Sequence, residues 1–400
     1  MSAPERRTKV VEGRLLDGGA ARLTLADGRI ARIEPLEGGG ADLPWLAPGL
    51  VDLQVNGYAG IDFNSVPLDP SLVREAVVLL LGRGVTTVFP TIVTNSDEAI
   101  ETSLRAIAAA CDADPLVAAC VGGIHLEGPF LSPVDGSRGA HDARFVRPPD
   151  LAAFRRWQDA SGGRIAIVTM SPEWDDFASF VAACAADGVV VSIGHTAATP
   201  ERIREAVAAG ARMSTHLGNA AQLLLPRHPN YIWEQLAADE LTACVIPDGF
   251  HLPDSVLKVF LRAKAGRIAF VSDAVYLSGL APGAYTTHIG GDVVLTPEGR
   301  LHLASNPALL AGSAQMLIDG IGRVAARGLL PLPEAWALGS AAPADAVGLA
   351  GVGRLEVGAA ADLVRFRIDP DGGSIAVEET YKAGTAVFAL QSDIGSSGSA

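Results

Sequence analysis

What most constrains this chain is an alternation along its middle: eight short runs of β-branched and apolar residues, separated by longer stretches with helical spacing. The runs are 49–55, 85–89, 121–126, 165–170, 189–193, 212–215, 242–246 and 268–271. Amphipathic helices fit between several of them, at 97–110, 149–160, 174–186, 200–209 and 253–265. Strand-then-helix units repeated this way build a parallel sheet. Eight units match an α/β architecture of the (β/α)8 type, whose functional residues gather at the carboxyl ends of the strands. A doubly wound open sheet is the alternative, but no GxGxxG follows the first run.

The two ends of the chain read differently. From Lys9 to Leu46, short apolar pieces are broken by Asp17-Gly18 and Asp27-Gly28, dipeptides that favour hairpin turns. Similar pieces return at 363–368 and 386–390. We therefore expect a small β domain built from both termini, residues 1–47 with 355–391, around a barrel domain at 48–354. Residues 392–400, rich in Ser and Gly, are expected to be a mobile tail. A chain of 400 residues that is 49% apolar has the material for such a core.

The net charge of −14 argues against nucleic acid or an anionic membrane as partner, although a few local cations suffice for one small anion. Cys111, Cys120, Cys184 and Cys244 form no CxxC pair and read as reduced structural thiols. The first residues lack the apolar core of a secretory signal, and no apolar run approaches about 18 residues, so a soluble cytoplasmic protein is expected.

Chemistry concentrates where the runs end. Run one carries Asp52, Gln54 and Asn56; run three carries His125 and Glu127; runs five and six lead into His195 and His216. Run seven leads into Asp248-Gly-Phe-His251 and run eight into Ser272-Asp273-Ala274. Five of the eight histidines lie at or just beyond these ends, counting His141. In a barrel the ends converge on one mouth. Two imidazoles and a carboxylate there can bind Zn²⁺ or Fe²⁺ and leave a position for water, and Glu127, His195 and His216 are the expected ligands. Such a metal lowers the pKa of its water from about 16 toward about 7. A further carboxylate must accept the proton and pass it to a leaving group, and Asp273 is placed for that. Each assignment has a plainer rival: a scaffold histidine, a buried Glu127 paired with an arginine, an Asp273 that caps a helix. His125 reads as structural, as do His288 and His302 in an apparent β insertion at 285–303.

At this point the chain resembles a known family. His-Leu-Glu-Gly-Pro-Phe at 125–130, Gly-Ala-His-Asp at 139–142, Gly-His-Thr at 194–196 and Thr-His-Leu-Gly-Asn-Ala at 215–220 are similar to motifs of the N-acetylglucosamine-6-phosphate deacetylases. So are Asp-Gly-Phe-His at 248–251, Ser-Asp-Ala at 272–274 and Leu-Ala-Gly-Ser at 310–313. Pro-Gly-Leu-Val-Asp at 48–52 and the stretch 353–363 resemble the wider amidohydrolase superfamily. The resemblance implies a distorted (β/α)8 barrel with a small β-sandwich domain from both termini, as a homodimer with one divalent metal per subunit, zinc before iron. It implies Glu127, His195 and His216 on the metal, Asp273 in acid–base work, and His141 polarising the acetyl carbonyl. It implies substrate contacts at Asn219, Ala220, His251, Ala311 and Gly312. Arg227 occupies the position of an arginine that reaches the phosphate from the neighbouring subunit, a group suited to bidentate binding. Many amidohydrolases carry His-x-His where this chain has Gln54-Val-Asn56. That substitution points to the single-metal branch, with Gln54 and Asn56 lining the substrate side.

Residues 218–230 depart from the family pattern, with Gly218, Ala221 and the Gln222-Leu-Leu-Leu-Pro-Arg-His-Pro-Asn230 stretch replacing other residues, and Val275-Tyr276 is bulkier than the pattern. The expected reaction is hydrolysis of the N-acetyl group of N-acetylglucosamine-6-phosphate. The alternatives are a deacylase for another amino sugar phosphate or N-acyl amino acid, and a non-catalytic sugar-phosphate-binding protein.

Overall fold

The computed structural model of the chain describes residues 8–37, 40, 42–287, 291–369 and 374–390. The expected tail at 392–400 and His288 lie outside the described residues. Eight parallel strands, numbered here β1 to β8, form the barrel: β1 Leu50–Val55, β2 Val85–Val93, β3 Ile124–Glu127, β4 Ile165–Met170, β5 Val190–Ile193, β6 Met213–Ser214, β7 Thr242–Val245 and β8 Ile268–Phe270. Each of the eight expected runs overlaps one of them, with β2 continuing past 89 and β3 past 126. They are buried nearly throughout, as a parallel sheet covered by helices requires.

The sheet runs in order from β1 to β8, and the seam between those two is closed by a few bonds instead of a full ladder. The Asp273 N–H donates to the Gln54 carbonyl at 3.0 Å, and the Asn56 N–H to the Ala274 carbonyl at 2.8 Å. The Ser272 N–H adds a bond to the Asp52 carboxyl at 3.1 Å. Burial pushes Asp52 up to about 7, against the opposing hydrogen bonds from Ser272 and Gln54.

Two boundaries differ from the reading of the runs. β2 passes through Pro90 and continues to Val93. Pro90 donates no N–H, and the ladder to β1 is irregular just there, so the ring sits at a break in pairing instead of ending the strand. β3 begins at Ile124, not at 121. Gly122 and Gly123 pack so close to Phe89 that any Cβ there would stand 2.8 Å from its ring, and Val121 makes only an isolated bridge to Val88.

The helices match the expected segments with small shifts: Asp97–Ala113, Leu151–Ala160, Phe177–Ala186, Pro200–Ala209 and Asp254–Ala263. The first two start where a side chain takes the free amides: Ser96 accepts from Ala99 N–H, and Asp150 from Ala152 and Ala153 N–H. All four cysteines are free and buried. The insertion is a three-stranded antiparallel sheet of Gly283–Thr287, Gly291–Leu295 and Leu301–Leu303. Among the described residues, no helix is long and apolar enough to cross a membrane.

The termini meet in one seven-stranded sheet. Its order is Thr385–Ala389, Ile375–Lys382, Leu363–Ile368, Trp45–Pro48, Lys9–Leu15, Ala20–Ala26 and Arg29–Pro35. It curls over an apolar core drawn from both ends of the chain, including Leu23, Leu25, Ile30, Leu363 and Tyr381. Side chains at Gly28 and Gly384 would touch Ala383 and Leu25, so the two halves face each other as in a sandwich.

A buried ion pair inside this sheet sits where it meets the barrel. Lys382 Nζ lies 2.7 Å from Asp362 Oδ2 and 3.4 Å from Thr87 Oγ1 of β2, with the pair's side chains only 8% and 3% exposed. Removing one partner strands a charge out of water. Asp362→Ala is expected to lower the unfolding free energy by about 3–5 kcal/mol in urea denaturation. The double change Asp362→Leu with Lys382→Met is expected to recover most of that loss.

Candidate active site

The carboxyl ends of β3, β5 and β6 bring three side chains to one point. Glu127 is the last residue of β3, and His195 and His216 each lie two residues beyond their strands. All are buried. Glu127 Oε1 is 3.1 Å from His195 Nε2 and 3.1 Å from His216 Nε2, and those two ring nitrogens are 3.1 Å apart. His141, from the long loop after β3, brings its Nε2 to 3.3 Å from His195 Nε2. Glu127, His141 and His195 also form a group whose ligand atoms lie within 4.8 Å of one another.

Proton accounting decides what this cluster can hold. His195 Nδ1 faces the carbonyls of Ser137 and Arg138 at 3.1 and 3.2 Å, and carbonyls only accept. Nδ1 therefore carries a hydrogen, and whenever the ring holds only that one, Nε2 is a bare acceptor. Opposite stands the Glu127 carboxylate, also an acceptor. Two acceptors 3.1 Å apart repel unless a proton or a metal cation joins them. Nitrogen and oxygen ligands about 2.0–2.1 Å from a tetrahedral metal stand about 3.4 Å from each other, close to the spacing seen. Two imidazoles and one carboxylate fit Zn²⁺ or Fe²⁺. Gly139, at φ +60°, lets residues 137–139 lie over the ring: a Cβ there would stand 3.1 Å from His195 Cε1.

Without a cation, the cluster attracts positive charge as protons instead. Burial alone would raise Glu127, but His195 and His216 beside it hold the carboxyl well below its ordinary range. For His216, burial pulls down, while the bond to Glu127 and its charge lift the ring above its ordinary value. His141 is pushed down to about 3, first by burial and then by the charge of His195, so it is a neutral imidazole.

Beside the cluster, Asn56 Nδ2 donates to Asp273 Oδ1 at 2.8 Å, and Gln54 Nε2 to Glu127 Oε1 at 3.0 Å. Burial, and then the Glu127 charge, pushes Asp273 up to about 6. Three residues of this centre, His195, His216 and Asp273, have positive φ of 49°, 29° and 48°. Non-glycine residues there are uncommon, and strain of this kind gathers at functional positions.

The other expected residues fall into two groups. Asn219 and Ala220 follow His216 directly: the Asn219 N–H and side-chain amide both donate to the His216 carbonyl, at 3.0 and 3.2 Å. His251 Nδ1 lies 2.7 Å from Asp248 Oδ2, which leaves Nε2 as its other polar edge. Ala311 and Gly312 lead into Ser313, which bridges Ala274 next to Asp273. Arg227 is not gathered with them; it is exposed on the 218–230 loop, where Leu223 and Leu224 are also 88% and 89% exposed.

Some contributors are not evident from the runs. Glu173 Oε2 accepts from the Ser171 hydroxyl at 2.5 Å and from the Ala197 N–H at 2.9 Å, clamping the turn that carries His195. The available signal is its place at the end of run four. His125, read as structural, is buried, with Nδ1 3.0 Å from the Leu53 carbonyl and Nε2 2.7 Å from Thr169 Oγ1. Burial pushes it down to about 4.

Comparison with known proteins places this geometry. Residues 45–387 match the model of the amidohydrolase family. The chain belongs to the amidohydrolase family. Such enzymes are hydrolases that depend on metal, and the Glu127 cluster is where this amidohydrolase can hold one. It is 31% identical over 86% of its length to the N-acetylglucosamine-6-phosphate deacetylase of Danio rerio, covering 84% of that protein. It is 32% identical over 69% of its length to the Bacillus subtilis enzyme of the same name, covering 68% of it. In structure it is similar to a mutant N-acetyl-D-glucosamine-6-phosphate deacetylase of Mycobacterium smegmatis in complex with N-acetyl-D-glucosamine-6-phosphate. The TM-score is 0.81, with 28% identity, over 95% of this chain and 99% of the other.

The Glu173 clamp yields a direct expectation. Glu173→Ala leaves the Ala197 N–H without its acceptor and should lower the unfolding free energy by roughly 1–3 kcal/mol. Glu173→Gln, which keeps one acceptor oxygen, should lose less in the same denaturation experiment.

Proposed function

We propose that this amidohydrolase removes the acetyl group of N-acetylglucosamine-6-phosphate, giving glucosamine-6-phosphate and acetate. The observation that carries this reading is the buried cluster of Glu127, His195 and His216, their facing atoms 3.1 Å apart, with the raised carboxyl of Asp273 beside them. The deacetylase relatives supply the substrate class.

Glu127, His195 and His216 hold one divalent metal, zinc before iron. When bound, it supplies Lewis acidity, making water acidic enough to give hydroxide near neutral pH and polarising the acetyl carbonyl. The ionised Asp273 carboxylate accepts a proton from the attacking water as oxygen bonds to the acetyl carbon. Asn56 keeps that carboxylate oriented through its 2.8 Å bond. Neutral His141 turns its Nε2–H toward the centre and donates to the carbonyl oxygen as negative charge grows on it. Asp273 then returns the proton to the sugar nitrogen as the C–N bond breaks, so the amine leaves neutral with acetic acid, which becomes acetate by giving its remaining proton to water or to the amine. Gln54, through its bond to Glu127, fills the space where a second metal's histidine would stand.

Substrate is held by Asn56, Asn219, Ala220, His251, Ala311 and Gly312. His251, oriented by Asp248, offers Nε2 to the sugar phosphate. Arg227 reaches a phosphate across a homodimer, whose contact includes the exposed Leu223 and Leu224. The barrel domain spans 48–354 and the small domain joins 1–47 to 355–391, in a cytoplasmic enzyme.

The test is acetate release by metal-analysed protein, with the phosphorylated and unphosphorylated sugars side by side. Phosphate-dependent release with about one metal per chain is the expected result. Release from N-acyl amino acids alone would overturn the substrate. Chelation should abolish turnover and added Zn²⁺ restore it. Asp273→Asn should keep its metal and lose at least about 100-fold in kcat, within the range for general acid–base groups; near-full activity would remove Asp273 from the role.

A further inference from the structure

One layer below the cluster, a second set of polar side chains crosses the barrel interior. Ser192 on β5 lies 2.6 Å from Thr215, Thr215 lies 2.6 Å from Thr169 on β4, and Thr169 Oγ1 lies 2.7 Å from His125 Nε2 on β3. His125 Nδ1 ends the chain at the Leu53 carbonyl of β1, 3.0 Å away. Each of the four side chains is buried.

Their direction follows from that last contact. The Leu53 carbonyl can only accept, so His125 Nδ1 donates and Nε2 of the neutral ring accepts from the Thr169 hydroxyl. With its hydrogen committed, Thr169 accepts from Thr215, and Thr215 accepts from Ser192. One carbonyl thus orients three hydroxyls and a ring.

The members sit where the ligands need support. His125 is two residues before Glu127 on the same face of β3, Ser192 three before His195, and Thr215 immediately before His216. Thr169 stands in register with both Glu127 and Ser192. The backbone ladder is thin here, because β6 is two residues long and pairs with β5 only through Met213 and Ser214. Gly194 lets the belt pass: a Cβ there would stand 2.6 Å from Thr215 Cβ and 2.9 Å from Thr169 Cγ2.

We infer that Ser192, Thr215, Thr169 and His125 are positioning residues, a buried one-way hydrogen-bonded belt that sets the spacing of Glu127, His195 and His216. The inference rests on the ligand assignment proposed above. The belt acts through the ligands, so it governs how tightly the centre keeps its metal.

The experiment is chelator competition for Zn²⁺ on the full chain, with melting of the metal-free protein alongside. Thr169→Val, which keeps the shape and removes the hydroxyl, should weaken Zn²⁺ binding by about 10-fold, the lower end of the range for losing a direct partner of a metal ligand, since the belt acts one step further out. Thr169→Ser should restore near wild-type binding. Ser192→Ala, at the donor end, should weaken binding less than Thr169→Val and leave the melting of the metal-free protein unchanged. Equal Zn²⁺ affinity in Thr169→Val and wild type overturns the belt. A loss in Thr169→Ser as large as in Thr169→Val also overturns it, because packing would then be the cause. Should Thr169→Val not fold, Ser192→Ala decides: weaker binding supports the belt and unchanged binding overturns it. A wild-type chain that binds no Zn²⁺ would instead sink the ligand assignment.

Discussion

His195 Nε2, His216 Nε2 and a Glu127 carboxylate oxygen stand 3.1 Å from one another, a gathering of lone pairs that only protons or a cation can hold together. Burial removes the water that would screen them, and the Ser137 and Arg138 carbonyls keep the His195 hydrogen on the far side of its ring. Repulsion of this kind persists only where the surrounding structure imposes it and a cation relieves it. Much of the barrel mouth can be understood as meeting that requirement. His195, His216 and Asp273 adopt left-handed backbone conformations, each costing on the order of 1–3 kcal/mol.

The scaffold that sustains this strain is unevenly stiff. Neighbours from β1 to β5 pair at three or four positions each, whereas β6 has two residues and the β8–β1 seam closes through a few bonds around Gln54, Asn56 and Asp52. The weak places coincide with the residues that do chemistry. At β6, side-chain hydroxyls substitute for missing ladder bonds; at the seam, the same bonds that close the barrel set Asp273 beside Asn56. Away from the mouth, apolar packing and the Lys382–Thr87 contact seat the small domain on β2, with Asp362 pairing the lysine charge. The 218–230 loop is less constrained, with Leu223 and Leu224 in solvent, so the substrate wall can change while the centre does not.

Much of the fold was legible because β-branched runs of strand length, spaced by amphipathic helices, have few other solutions. The misplaced edges, at Pro90 and at 121–123, come from local rules that tertiary pairing overrode: a proline tolerated at a break in the ladder, and glycines given over to Phe89. The joining of both termini in one sheet was legible from the turn dipeptides, but its strand order was not, since short alternating strands carry no signal for their partners. The Glu127, His195 and His216 cluster could be read because imidazoles and carboxylates at strand ends are costly to bury without purpose. Thr169, Ser192 and Thr215 could not, because hydroxyl residues in strands look like ordinary strand formers.

By itself, then, the sequence determined an eight-unit barrel with a two-ended β domain, and the residue types at its mouth that suit a single divalent metal. Those follow from periodicity and side-chain chemistry, which are local properties. Only the tertiary structure decided which nitrogen of His195 faces Glu127, that Asn56 orients Asp273, and that Arg227 stands apart from the cluster. Tautomers, facing acceptors and shifted carboxyls depend on which groups are neighbours in space and on how much water is excluded. Neither quantity exists until strands far apart in the chain have closed into one barrel.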